Sequence, residues 1–116
     1  MPTPFNEIQL YHEANGSCPY AEWYRGLKDK KTQAIVDYRL SRVEAGTLGD
    51  CKALGDGVYE LRIHHGPGWR IYFAKVKNTV ILLLCGSDKS AQQQTIRKAK
   101  MYWKDYQHNM EGSSDE

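Results

Sequence analysis

Apolar positions along this 116-residue chain switch between a period of two and a period near 3.6, and the switches mark its elements. Ile8 and Leu10 alternate with Glu7, Gln9 and Tyr11, which predicts a short strand that Asn15-Gly16-Ser17 ends. Pro19, preceded by Ser17 or Cys18 as cap, opens a segment in which Tyr20, Trp23, Tyr24 and Leu27 recur at helical spacing. After Asp29 a longer helix carrying Ile35, Val36, Leu40 and Val43 runs to Ala45 and stops at Gly46. So short a joint predicts a helix hairpin.

Gly46, Gly49, Gly55 and Gly57 mark an irregular passage, and three strand signals follow it. In residues 58–64, Tyr59, Leu61 and Ile63 point one way and Glu60, Arg62 and His64 the other. The tight loop His65-Gly66-Pro67-Gly68 joins this strand to residues 69–75, where Trp69, Ile71 and Phe73 alternate with Arg70, Tyr72 and Ala74. Residues 80–84 are apolar at every position, as befits a strand in the middle of the sheet and covered on both faces. Ser87-Asp88-Lys89-Ser90 supplies loop and cap chemistry before a final helix carrying Ile96, Ala99, Trp103 and Tyr106. The expected fold class is α+β, in the order β-α-α-β-β-β-α: a mainly antiparallel sheet with the helix hairpin on one face and the other face partly open. Residues 1–106 are expected to form one domain, and residues 107–116 a polar, frayed tail.

Composition narrows the class. With 41% hydrophobic and 11% aromatic residues the chain can build a genuine core, yet no run approaches the roughly 18 apolar residues of a membrane span. Residues 1–10 lack a basic region followed by an apolar stretch, so the cytoplasm is the expected location. Cys18, Cys51 and Cys85 have no C-x-x-C spacing and are expected as reduced thiols. The net charge of +2 conceals an uneven distribution. Residues 1–57 hold seven Lys/Arg against eight Asp/Glu, residues 58–105 nine against three, and residues 106–116 none against three. A fold that puts the basic block on one surface would attract a polyanion, although Arg97, Lys98, Lys100 and Lys104 also read as the solvated face of a helix.

Alternation puts Arg62 and Arg70 on neighbouring strands and on the face away from the helix hairpin, outside the core. There two planar guanidiniums could hold phosphate oxygens and stabilise charge at a phosphorus centre, or could simply pair with Glu60 or the acidic tail. Lys89 can approach the same surface from its loop. Of His64 and His65, parity favours His64 as the one that joins Arg62 for proton transfer. Tyr72 shares that side and could stack on a base, whereas Trp69 belongs with the core. A Walker loop, a Ser-His-Asp order and paired carboxylates are all missing from the sequence, so neither a cofactor nor a metal is expected.

Taken together, Tyr59-Glu60-Leu61-Arg62-Ile63, Gly66-Pro67-Gly68-Trp69-Arg70-Ile71-Tyr72-Phe73 and Leu82-Leu83-Leu84-Cys85-Gly86-Ser87-Asp88-Lys89-Ser90, with Ile96, Ala99 and Trp103 downstream, resemble the HigB-like addiction-module killer proteins of the RelE/ParE superfamily. The resemblance covers roughly residues 5–106. It implies a small α+β toxin of a bacterial type II toxin–antitoxin system, restrained by an antitoxin that is often a helix-turn-helix DNA binder encoded nearby. It further implies ribosome-dependent, metal-independent mRNA cleavage, with the ribosome and mRNA as partners and no membrane. Arg70 matches the arginine of the family's G-aromatic-R strand, Arg62 the basic position on the preceding strand, and Lys89 the basic loop after the last strand. Candidate RNA contacts are Arg62, Arg70, Tyr72, Lys75, Lys89 and Arg97. Where RelE-type relatives carry an early C-terminal tyrosine this chain has Gln92, Gln93 and Gln94, and Glu60 occupies a position that is basic in some relatives. The proton-transfer role is thus left unassigned, with His64 and Asp88 as the candidates that the resemblance offers, since HigB-type relatives use histidine and acidic residues. Two other readings are a ParE-like inhibitor that poisons DNA gyrase without an RNase site and a non-toxic DNA-binding accessory protein, which would need a recognition helix.

Overall fold

The structure, a computed structural model, describes residues 5–114. Its elements are β1 (Glu7–Leu10), α1 (Pro19–Arg25), α2 (Lys30–Glu44), β2 (Cys51–Gly55), β3 (Val58–Ile63), β4 (Trp69–Val76), β5 (Val80–Asp88), a single 3₁₀ turn (Lys89–Ala91) and α3 (Gln92–Ser114). The sheet order is β1-β5-β4-β3-β2; β1 runs parallel to β5 and every other pair is antiparallel, so the sheet is mixed within an α+β fold. Two elements depart from the pattern reading. β2 is an additional edge strand inside the passage expected to be irregular, paired to β3 and closed by the two-residue Asp56-Gly57 turn. α3 continues as helix through residues 107–114, expected as a frayed tail, while Asp115 and Glu116, like residues 1–4, lie outside the described residues.

Pro19 sits in the first turn of α1, and the Asp29 side chain caps α2 by accepting from the Lys31 backbone N–H. The hairpin is held by Gln33, which donates to the Tyr24 carbonyl at 3.0 Å, and by the Tyr24 hydroxyl, which donates to Asp37 at 2.7 Å. On this side Val36, Val43, Tyr20 and Leu27 pack on Leu61, Ile63, Ile71, Phe73, Ile81 and Leu83. Trp69 is half-buried in the same cluster, its ring edge-on to Trp23 at 6.1 Å between centroids.

The opposite face, expected partly open, is largely covered. α3 lays Ala99, Ile96, Tyr102, Trp103 and Tyr106 over Val58, Tyr72, Ala74, Leu82 and Leu84. Its apolar residues recur at helical spacing, and two stacked faces bury a sheet more completely than one. Beyond Glu60 the cover thins, and the Arg62 side chain is 33% exposed.

β5 is interior, next to the central strand β4, and carries an irregularity that redirects its second half. Tyr72 opposes Cys85 while Phe73 opposes Leu83, so Leu84 is an extra residue and the strand is bulged there. Leu84 and Cys85 both face α3, after which Gly86 faces α1 and Ser87 faces α3 again. Gly86 is required by packing: a Cβ there would overlap the ring of Trp23. Gly86→Ala is expected to cost about 1–3 kcal/mol through overpacking. Thermal melts should show most of that loss disappearing in a Trp23→Ala background, because the two sites share one contact.

Candidate functional site

Arg62 and Arg70 are direct cross-strand partners on β3 and β4, on the face away from the helix hairpin, as alternation predicts. Like charges placed opposite one another destabilise a sheet, and the remedy is one step along β3. Glu60, 2% exposed, has Oε1 3.5 Å from Arg62 Nε and 3.7 Å from Arg70 Nε. Its Oε2 accepts from Gln92 Nε2 at 2.6 Å, which ties the start of α3 to the sheet. Both arginine Nε atoms are buried and make no hydrogen bond, so their contact with Glu60 is ionic rather than directional. The pairing with Glu60 that the pattern left open is therefore present, alongside the shared arginine surface.

The two cations differ in access. The Arg62 side chain is 33% exposed, whereas that of Arg70 is 9% exposed and spends one N–H on the Trp69 carbonyl at 3.2 Å. Arg70 is thus part of the sheet's buried structure and not, as alternation alone suggested, outside the core. Both arginines line a cleft of about 510 Å³ completed by His64, His65, Lys89 and the Gly66-Pro67-Gly68 turn. Lys89 comes from the 3₁₀ turn after β5, and Gly68 lies beside Arg70 and Lys89 with a φ of 85° that favours glycine in this turn.

His64 and His65 both line the cleft, where parity had admitted only one. β3 ends at Ile63, so strand alternation has no hold on either. The His64 ring is 73% exposed, and its Nε2 lies 2.6 Å from Asp50 Oδ2. Asp50 also stands 3.8 Å from Arg62 Nε, and the hydrogen bond from His64, with the Arg62 charge behind it, holds its carboxyl below the usual range. Sequence reasoning missed Asp50 because it sits in the glycine-rich passage, where no alternation assigns it a direction.

Four candidates fall elsewhere. Asp88 caps the 3₁₀ turn, accepting from Ser90 Oγ at 2.6 Å and from the Ala91 N–H at 3.1 Å, which lowers its pKa. The bulge at Leu84 turns it to the α1 side, into a separate cleft of about 400 Å³ shared with Glu22 and Trp23, so it is not a base for the basic cleft. Tyr72 is fully buried, its hydroxyl 3.1 Å from Ser87 Oγ and its pKa pushed up to about 12 chiefly by burial; it has no face free to stack on a base. Lys75 sits on the hairpin side of β4, its Nζ over the Tyr59 ring at 4.8 Å. Arg97 is exposed on α3 beside Lys100 and Lys104, in another cleft. Gln92, at the start of the segment where relatives carry tyrosine, is committed to Glu60. The three cysteines are free thiols, and burial pushes that of Cys85 up to about 12.

A mixed five-stranded sheet between a helix hairpin and one long helix, with a cationic cleft at the end of its central hairpin, defines a small α+β protein compatible with a RelE-like fold. Residues 22–105 match the model of the phage-derived Gp49-like proteins (DUF891), and the chain belongs to that family, which is related to RelE-type toxins. It is also 38% identical, over 82 residues, to an uncharacterized protein of Haemophilus influenzae, a match spanning 71% of this chain and 83% of the relative. Among the described residues no helix is long and apolar enough to cross a membrane.

Proposed function

We propose that this protein is a HigB-like toxin of a type II toxin–antitoxin system that cleaves mRNA on the ribosome. The observation that carries the proposal is the cleft lined by Arg62, Arg70 and Lys89 together with His64 and His65. Cleaving RNA by its own 2′-hydroxyl asks an enzyme to orient the backbone, stabilise charge on the phosphorane and move two protons. In this reading Arg62 and Lys89, at the solvent edge, take the phosphate oxygens, and Arg70 supplies positive charge from the floor. His64 accepts the 2′-hydroxyl proton at Nδ1, O2′ forms a bond to phosphorus, and the O5′–P bond breaks. O5′ leaves with its electron pair and takes a proton from the Lys89 ammonium. Each role uses a group of the chain itself, so the proposal includes no metal or other cofactor. The partners would be the translating ribosome with its mRNA and a helix-turn-helix antitoxin that covers the cleft.

Brief induction of the protein, with mapping of new 5′ ends in cellular transcripts and a gyrase supercoiling assay in parallel, tests this reading. Fresh ends within codons are the expected result; intact messages with gyrase-dependent DNA breaks would replace it with the ParE-like reading. Lys89→Ala should abolish growth inhibition while leaving the melting temperature close to that of the wild type, since its side chain is exposed. Arg62→Ala should abolish it too, but with a loss of stability, because it strips the buried Glu60 carboxylate of one cation. Binding to single-stranded RNA should lose salt dependence by about 0.7 in the slope of log K against log salt for each phosphate contact removed.

A further inference from the structure

Because the loop that enters β2 brings a carboxylate against the far nitrogen of His64, we infer that Asp50 is the positioning residue of the site, fixing the tautomer and direction of the imidazole. This inference rests on the RNase reading for its catalytic part and on geometry alone for its structural part.

The contact is 2.6 Å between Asp50 Oδ2 and His64 Nε2. A carboxylate can only accept, so the shared proton is on Nε2, and Nδ1 is left with a lone pair that can take a proton. An imidazole 73% exposed and lacking this partner would rotate and exchange tautomers freely, which is a poor state for a general base. The anchor itself is well placed. The Asp50 backbone carbonyl accepts from the Arg62 N–H at 3.0 Å and from Arg39 Nη2 at 3.3 Å, so the main chain is pinned to β3 and α2 independently of the carboxylate. The ionised state of that carboxylate is secured by the same neighbours, the His64 hydrogen bond and the Arg62 and Arg39 charges. The other charged groups of the cleft, His65, Arg70 and Lys89, are cationic or neutral and do not compete with Asp50 for the Nε2 proton.

The test uses the full chain with ¹⁵N-labelled histidine. Two-bond ¹H–¹⁵N spectra of wild type should show His64 as the Nε2–H tautomer. In Asp50→Ala the two ring nitrogens should move towards the averaged shifts of a freely exchanging imidazole, and Asp50→Glu should restore the wild-type pattern at least in part. In ribosome-dependent cleavage, Asp50→Ala should lower kcat, by no more than the about 100- to 10,000-fold that a positioned general base contributes, with little change in KM, and Asp50→Glu should recover much of it. An unchanged His64 tautomer in Asp50→Ala overturns the positioning role whatever the RNA result. A tautomer lost in Asp50→Ala with a wild-type rate retained overturns its catalytic part. Wild-type protein that cuts no RNA, yet loses the fixed tautomer in Asp50→Ala, supports the positioning role and removes the RNase reading alone.

Discussion

Glu60→Ala is expected to unfold much of the protein at temperatures the wild type tolerates, with a stability loss of about 3–5 kcal/mol. The carboxylate is 2% exposed and stands between two guanidiniums whose Nε atoms are buried. Removing it leaves two like charges facing each other across β3 and β4, and also frees Gln92 at the start of α3. Against a total stability of about 5–15 kcal/mol for a domain, that is a large fraction. Chemical denaturation, followed by tryptophan fluorescence, measures the loss directly. Glu60→Gln keeps the shape and one acceptor and should cost clearly less. An equal loss in both variants would mean that packing, and not charge, is what Glu60 contributes. Arg70→Ala belongs with Glu60→Ala, because it strips a buried carboxylate of one cation; a loss of toxicity in that variant would mix unfolding with chemistry. The same holds for Arg62→Ala, whose guanidinium pairs with that carboxylate at 3.5 Å, so the exposed Lys89 is the cleaner probe of the cleft.

Phe73→Ala should be comparably severe, at about 3–5 kcal/mol, for a different reason. Phe73 is 1% exposed in the hairpin-side core, stacked on Tyr59 at 5.3 Å between centroids and flanked by Ile71. The central strand cannot collapse into the space a ring leaves, since its partners β3 and β5 hold it on both edges. Phe73→Leu, which fills more of that space, should recover a substantial part of the loss in the same denaturation experiment. The comparison separates the two interiors of the protein: Glu60 variants should respond to salt, Phe73 variants should not.

The parts of the site that could be read from the chain are those governed by strict alternation. Tyr59 to His64 and Trp69 to Ala74 alternate cleanly, and the shared face of Arg62 and Arg70 follows. What alternation cannot express is cover from a distant segment. Tyr72 is buried by α3 and Arg70 sits against Glu60, and neither partner leaves a mark on β4. β2 is half exposed along an edge, so Cys51-Lys52-Ala53-Leu54 shows no contrast between its faces. Asp88 was misplaced for a further reason. An extra residue inside the uniformly apolar stretch of β5 changes no hydropathy, yet it exchanges the faces of every residue after it. Asp50 depended on a tertiary meeting between a glycine-rich loop and the end of β3.

The parallel pairing of β1 with β5 also bears on the order of events during synthesis. Glu7 to Leu10 find their partners only at Val80 to Leu83, and β5 is also the strand against which both α1 and α3 pack. β1 therefore leaves the ribosome well before its partner and waits, unpaired, until β5 has been translated. Sheets closed by such distant partners assemble slowly and expose unsatisfied edges on the way. The nascent chain has no complete sheet, and hence no assembled cleft, until its last third has emerged, so the timing of its own translation delays the appearance of the native surface.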